Sequence, residues 1–545
     1  MSFNLSELLE RVTNTVGGRD AVVTPMARLT YADLDARANR VAHHLAGIGI
    51  LAGDHVGLML RNGTEYLEVM LGCFKLSAVP ININYRYVQR ELAHLLGDAD
   101  LVALVYHRGF AAAVGDARDA APDLRHLLVV DDASNADVLP GSVPYGDALA
   151  AASPARDFTG RSGNDVYCAY TGGTTGLPKG VLWRHEDIFF AAMGGGDPQL
   201  SGRPISDPDE LVDRIPPIGL VELVTPPLIH VAAQWGAFQV LFGGGTVVLP
   251  TPGPLDAEEA WGLAERERVH VVTVVGDAMA RPLLEHLDSL PAERRPDLSA
   301  LMVFASGGAT LSPPTKATLH RLLPQAIVID GYGSTETGVT GTEAQVGGDG
   351  PARSRFRVDA TTAVLDDELR ALAPGSGTVG GLARRGRLPI GYHNDPAKTA
   401  ATFVTTRGER WALSGDRATV EADGTITLLG RGSTTINTGG EKVFAEEVES
   451  VLTASPEVRD AVVVGVPDDR WGERVVAVVS PRPGSTPTLA ELREHCRPYL
   501  AGYKLPKDLV VVDAVVRAPS GKPDYRWARS LADGLAPAAA NPVKS

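Results

Sequence analysis

Three cysteines in 545 residues is little, and Cys73, Cys168 and Cys496 stand far apart with no CxxC pair. That scarcity excludes a disulfide framework and a zinc cage, and it suits a reducing compartment, the cytoplasm. A basic excess is lacking too. Sixty-six acidic against 51 basic side chains leave a net charge of −15, which argues against a nucleic-acid groove. No stretch approaches the ~18 to 20 consecutive apolar residues of a transmembrane segment. The segment from Met1 to Val16 lacks the uncharged core of a signal peptide. Its Leu5, Leu8, Leu9 and Val12 recur at helical spacing among Glu7, Glu10 and Arg11, which predicts a docked amphipathic helix. Internal repeats are absent.

What is present is an ordinary globular composition, 44% hydrophobic and 21% charged, in a chain long enough for roughly three to four structural units. The first 130 or so residues alternate between helical and strand patterns: Tyr31 to Ala46 helical, His55 to Leu60 extended, Thr64 to Lys75 helical, Leu101 to Tyr106 extended. This is the α/β alternation of a parallel sheet flanked by helices. From Asp131 to Asn164 the composition turns to Ala, Pro, Ser, Asp and Gly, which predicts a surface connection.

Three apolar, mostly β-branched runs follow, His270 to Val275, Leu301 to Phe304 and Ala326 to Ile329, with helical patterns at Ala278 to Leu287 and Pro313 to Leu323 between them. Each run leads into small or polar residues: Gly276 and Asp277, Ser306 to Gly308, and Gly331 to Glu336. In a parallel sheet such loops gather at the carboxyl edge, where ligands bind, although glycines there would equally serve tight turns. After Gly338 the helical period fades, and Val358 to Leu365, Thr378 to Ala383 and Thr425 to Leu429 predict a β subdomain. Beyond Arg431 a small α+β unit is expected, ending in an Ala- and Pro-rich tail over 535–545 with few anchors.

The strongest local signal is the run Thr171, Gly172, Gly173, Thr174, Thr175, Gly176, closed by Lys179 and Gly180. Backbone N–H groups, hydroxyls and one ammonium without bulky neighbours are the parts of a phosphate cradle. It is not a Walker A loop, because no Ser or Thr follows Lys179 to hold magnesium.

With these residues the chain resembles the adenylate-forming superfamily of acyl-CoA synthetases, luciferases and peptide-synthetase adenylation domains. Further matching segments come in order: Gly331 to Gly338, Ser414 to Asp416, Gly430 and Arg431, Gly439 to Lys442, and Ser520 to Pro523. Leu29 to Leu34 and Ala78 to Tyr85 extend the likeness into the N-terminal part. The resemblance implies a large N-terminal domain (1–432) of parallel-rich sheets flanked by helices plus a β subdomain, and a small mobile α+β domain (433–534).

The implied chemistry joins a carboxylate to ATP, giving acyl-adenylate and pyrophosphate, and then passes the acyl group to CoA. Negative oxygens crowd the reacting phosphorus, so catalysis must be chiefly alignment and neutralisation. By resemblance Glu336 holds Mg²⁺, Thr335 touches the α-phosphate, Tyr332 stacks on adenine between Gly331 and Gly333, and Ser306, Gly307 and Gly308 flank the base and the acyl group. Asp416 accepts from the ribose hydroxyls, with Arg431 beside it. Lys522 bridges the carboxylate and α-phosphate, as a compact ammonium can. His230, Trp235, Gly276, Asp277 and Met279 would line the acyl pocket. Gly439, Gly440, Glu441 and Lys442 would line the CoA channel after rotation about Ser433, a position where relatives often carry Asp or Lys. His185 to Asp187, though a tempting acid–base cluster, reads as structural.

The expectation is therefore a carboxylate–CoA ligase using ATP, Mg²⁺ and CoA. The segment Gly276 to Leu284 resembles bacterial fatty-acyl-CoA synthetases. The variants Gly430 to Lys442 and Trp183 to Asp187 resemble an actinobacterial branch that includes ligases for steroid side-chain carboxylates. Its partners would be small molecules, without nucleic acid or a transmembrane segment, and a homodimer is compatible with them. The rivals are an adenylating enzyme that loads a carrier protein in trans and a catalytically silent nucleotide-binding protein.

Overall fold

The computed structural model describes residues 2–171, 177–197, 202–309, 311–345, 355–438, 441–468, 472–517 and 521–534. Its strands form sheets of 14, 8 and 5 strands among these residues. Helix Leu5–Val16 is capped by the Asn4 side chain and buries Leu5, Leu8, Leu9, Val12 and Val16, so the stripe read in the sequence faces the core. Helix Tyr31–Gly47 starts in a capping box between Thr30 and Asp33, two orphan N–H groups satisfied reciprocally.

The eight-stranded sheet has parallel strands at His55–Met59, Val79–Asn82, Leu101–His107 and His126–Val130. Near its end lies the antiparallel pair Val166–Thr171 and Lys179–Arg184, between which the glycine-threonine run falls in sequence. The short strand Gly391–Tyr392 crosses back to pair with Lys179–Arg184. Within the expected surface connection lie a strand, Ser142–Pro144, and a helix, Tyr145–Ala151. Tyr145, Ala148 and Leu149 are buried there, so tertiary packing overrides a composition that reads as loop.

The largest sheet centres on parallel strands Val221–Val224, Val271–Val274, Val303–Gly307 and Ile327–Ser334. Residues Val272, Val274, Phe304 and Val328 point to one face, into a core shared with helices Ala257–Arg266, Gly276–Ser289 and Pro313–Leu322. Antiparallel strands extend the sheet through Gly338–Gln345 and Arg355–Val358 to Ile426–Arg431, Glu409–Val420 and Gly380–Arg385. Two of the three expected loops are regular structure. Gly276 and Asp277 open a helix, and Gly331 to Ser334 continue a strand, since the returning strand Gly338–Gln345 supplies the hydrogen-bond partners that glycine-rich backbone lacks alone.

The five-stranded sheet comprises Thr435–Thr438, Glu441–Phe444, Val458–Asp468, Gly472–Pro481 and Asp508–Val511. Helices Ala445–Thr453 and Leu489–Cys496 cover one face, and Tyr525–Ala532 the other. Fully burying one Val or Leu contributes roughly 1.5–3 kcal/mol, so this valine-rich sheet has a core of its own.

Candidate active site

The carboxyl ends of Val271–Val274, Val303–Gly307 and Ile327–Ser334 border a cleft of about 1180 Å³. Thr171 closes it from the hairpin, and His230, Trp235 and Gly236 from the start of helix Val231–Phe242. Gly307 and Gly308 form its near wall, and a side chain on Gly307 would fill open space. Gly308 adopts φ +83°, a conformation that glycine enters without cost.

Beyond these glycines, Gly331, Tyr332, Gly333, Thr335 and Glu336 line the floor. The Tyr332 hydroxyl donates to Asp416 Oδ2, and Asp416 lines the same cleft from strand Glu409–Val420. The Thr335 carbonyl accepts from Trp183 Nε1 at 2.9 Å, which fixes the turn that presents Thr335 and Glu336. Tyr392 donates its hydroxyl to Glu336 Oε1 at 2.8 Å. Lys179 lies 6.0 Å from the Tyr392 ring centre and 2.5 Å from Asp395 Oδ2. Sequence reasoning missed Tyr392 and Asp395. The only local signal was Asp395 before Pro396, a helix-start pattern, and the Asp395 side chain does cap Pro396–Thr402.

His230 borders the same cleft. Burial, with Arg86 and Lys522 adding to it, pushes its imidazole down to about 4, so the ring is neutral near pH 7. Its Nε2 is buried without a hydrogen-bond partner among the described residues. Lys522 therefore reaches the site although it belongs to the five-stranded unit. A side chain on the preceding Gly521 would sit 3.4 Å from the Val275 carbonyl and 3.8 Å from Ala278 Cβ, so its loop rests on the end of strand Val271–Val274. Arg281 adds a second bridge, pairing with Asp277 and donating to the Arg459 carbonyl across the seam.

Other expected residues lie elsewhere. Ser306 is buried, accepting from Gly276 N at 3.0 Å and donating to the Ala309 carbonyl at 2.7 Å, so it braces the loop. Gly276 is buried at the start of its helix, and Met279 packs against the core on the helical side of the sheet. Asp277 borders the cleft, but its carboxylate accepts from Ser312 N at 2.9 Å and pairs with Arg281. His185 is fully buried near Asn4, with Nδ1 3.2 Å from Asn4 Nδ2, a packing role. Gly172, Gly173, Thr174, Thr175, Gly176, Gly439 and Gly440 lie outside the described residues, as does the tail 535–545. For Arg431, Ser433, Glu441 and Lys442 only the backbone is described, and Arg431 pairs with Asp416 between adjacent strands.

The donor set suits magnesium. Among the described residues no cluster of three His, Cys, Asp or Glu could hold an ion by itself. Glu336 offers a single carboxylate at the edge of the cleft, and Mg²⁺ bound with a nucleotide takes one or two carboxylates and otherwise phosphate oxygens and water.

Comparison with known proteins agrees with this geometry. Residues 9–389 match the AMP-binding enzyme family, and residues 447–522 match the AMP-binding enzyme C-terminal domain. A medium/long-chain-fatty-acid–CoA/3-oxocholest-4-en-26-oate–CoA ligase of Mycolicibacterium smegmatis is 45% identical, covering 98% of this chain and 97% of that protein. A 3-oxocholest-4-en-26-oate–CoA ligase of Rhodococcus rhodochrous is 44% identical over 99% of this chain and 97% of its own length. In overall shape the chain matches the crystal structure of an anthranilate CoA ligase with anthranoyl-AMP, with a TM-score of 0.83 at 23% identity over 98% of both chains.

Proposed function

The chain belongs to the AMP-binding enzyme family, and from that membership we propose that it is an ATP-dependent ligase converting a hydrophobic carboxylic acid to its CoA thioester, with a medium- or long-chain fatty acid or a steroid side-chain carboxylate as substrate. The observation that carries the reading is convergence: Lys522, His230, Thr335, Glu336 and Asp416 border one cleft although Lys522 comes from the five-stranded unit.

In the first step a substrate carboxylate oxygen attacks the α-phosphorus of ATP, and the bond to pyrophosphate breaks. Lys522 neutralises the two approaching anions, and Thr335 orients the α-phosphate. Lys179 and the adjoining run Thr171 to Gly176 receive the β- and γ-phosphates. Tyr332 packs on the base beside Gly307, Gly308, Gly331 and Gly333, while Asp416, with Arg431 beside it, accepts from the ribose hydroxyls. Glu336 would hold Mg²⁺, which when bound offsets the charge of the phosphate oxygens. Neutral His230 borders the acyl carbonyl without adding a charge, and Trp235 lines the acyl path.

In the second step the CoA sulfur attacks the acyl carbon, its proton is lost, and AMP leaves. Lys522 must withdraw for this. The unit from about residue 433 to 534 accordingly turns about Ser433, bringing Gly439, Gly440, Glu441 and Lys442 to the thiol path. Solution in the cytoplasm and a homodimeric assembly complete the reading. Among the described residues no helix is long and apolar enough to cross a membrane.

The test separates the half-reactions. Lys522→Ala should lower acid-dependent pyrophosphate release from ATP at least about 100-fold, while thioester formation from supplied acyl-adenylate and CoA stays within about threefold. Equal loss of both would remove Lys522 from the first step. Pyrophosphate release without acyl-CoA in the parent enzyme would favour carrier-protein loading, and no release with any acid would favour a silent nucleotide binder.

A further inference from the structure

Glu222 lies in the middle of an apolar strand, Val221–Val224, at the heart of the largest sheet. It keeps only 7% of its surface exposed. Its one hydrogen bond among the described residues comes from the Thr273 hydroxyl, 2.6 Å from Oε1. Among the described residues no cation is paired with it. A carboxyl buried in this way is costly unless it is neutral or has further partners. Burial, only partly offset by the Thr273 bond, pushes Glu222 up to about 7, so near neutral pH much of it is the acid form, whose O–H has no acceptor among the described residues.

Register places this group relative to the reacting centre. Glu222 pairs with Val271, Val271 with Val303, and Val303 with Ile327. Gly307 and Gly331, which border the reaction cleft, pair with each other four residues further along the same strands. At about 3.3 Å per residue and about 4.8 Å per strand, four residues along and two to three strands across place Glu222 roughly 16–19 Å from the reacting end. Its side chain shares a face with Thr273, Val303, Ala305, Ile327 and Ile329, which are all half-buried. The opposite face is filled by the helical core.

That open face looks onto helix Val231–Phe242. A side chain on Gly236 would lie 3.4 Å from Glu222 Oε1, and Gly236 itself lines the cleft with Trp235 and Gln239. The half-buried residues Val303, Ala305, Ile327 and Ile329 thus lie between the reactive glycines and Glu222, which sits behind the cleft-lining Gly236.

We propose that Glu222 is a specificity-determining residue at the far end of the acyl path, where its carboxyl hydrogen-bonds a ketone or hydroxyl oxygen carried by the substrate roughly 16–19 Å from the reacting carboxylate. The proposal rests on the ligase reading and narrows its substrate to hydrophobic acids with a distal oxygen. A straight saturated fatty acid would run over the same residues and leave the Glu222 O–H without a partner, and a site built around such a group discriminates against molecules that cannot satisfy it.

The experiment compares kcat/KM for two steroid acids that differ only in the ketone, the 3-oxo acid for which the relatives are named and its deoxygenated counterpart. In the parent enzyme the oxygenated acid should be favoured at least about tenfold. Glu222→Leu, which replaces the acid by an apolar group suited to that strand, should reduce this ratio to near one. Glu222→Gln, which keeps an N–H donor, should retain part of the preference. An unchanged ratio in Glu222→Leu, or a parent enzyme indifferent to the ketone, would overturn the assignment while leaving the ligase reading intact. Failure of the parent enzyme to release pyrophosphate with any acid would overturn the ligase reading, and this inference with it.

Discussion

Lys179 is held by a carboxylate where a triphosphate is expected to lie. Its Nζ is 2.5 Å from Asp395, and the pairing draws the Asp395 carboxyl below its usual value. An exposed pair of this kind is worth about 0–1 kcal/mol, whereas a charge-assisted bond to phosphate is worth about 1.5–3 kcal/mol. The nucleotide should therefore win the lysine from Asp395. Lys179→Ala should raise the KM for ATP by about tenfold or more. Asp395→Asn should lower it by roughly two- to fivefold while keeping the helix cap, since Asn caps as well as Asp. Steady-state pyrophosphate release against ATP concentration measures both. A raised KM in Asp395→Asn would show that the carboxylate positions the lysine instead of competing for it. That short-motif residues such as Glu336 and Asp416 border one cleft could be read from the chain, because motif spacing and order suffice for that. Tyr392 could not, because it reaches Glu336 through a two-residue strand crossing to the hairpin, a long-range pairing with no local periodicity.

At the scale of elements, helix Ala445–Thr453 shows the same division. Its apolar period is a local signal, but nothing local tells what becomes of its three acids, Glu446, Glu447 and Glu449. In the fold Glu447 pairs with Lys504 at 2.8 Å, and Glu449 is buried, accepting from Val463 N at 2.8 Å and from the Tyr525 hydroxyl at 3.3 Å. Burial first, and the neighbouring Glu446 next, push the Glu449 carboxyl up from 4.5 to about 8. The folded chain then keeps a proton that the unfolded chain has released, so this site's contribution to stability is full below about pH 4.5 and declines as pH rises toward 8. Glu449→Gln should flatten that decline. Melting temperatures of both proteins between about pH 5 and 8 measure it, and parallel profiles would mean that Glu449 is ionised in the fold. The strand Ile327–Ser334 was misread in the other direction. Its glycines signal a loop locally, yet ladder bonds from Gly338–Gln345 keep them extended.

At the scale of the whole molecule, the decisive feature is how the two units meet. The alternation of helices and strands, the β subdomain and the small α+β unit were all legible, because each rests on local period and composition. The seam was not, because it joins groups hundreds of residues apart: Lys522 beside His230, Gly521 against Val275 and Ala278, and Arg281 on the Arg459 carbonyl. On the proposed reading this pose serves adenylation, and the seam would have to open for thioester formation. A crosslink tests that requirement. The 3.8 Å from a side chain on Gly521 to Ala278 Cβ falls within the 3.5–4.5 Å spacing of Cβ atoms in disulfides, and the three native cysteines are buried and should not interfere. Cysteine at position 521 must adopt φ +75°, a strain of roughly 1–2 kcal/mol that a stable domain tolerates. Once oxidised, the Gly521→Cys/Ala278→Cys protein should release about one equivalent of pyrophosphate per enzyme and then stall, with acyl-adenylate retained and acyl-CoA production down at least about 50-fold. Reduction should restore turnover. If the oxidised enzyme made acyl-CoA at the reduced rate, both half-reactions would proceed in one arrangement, and rotation about Ser433 would have no part in the cycle.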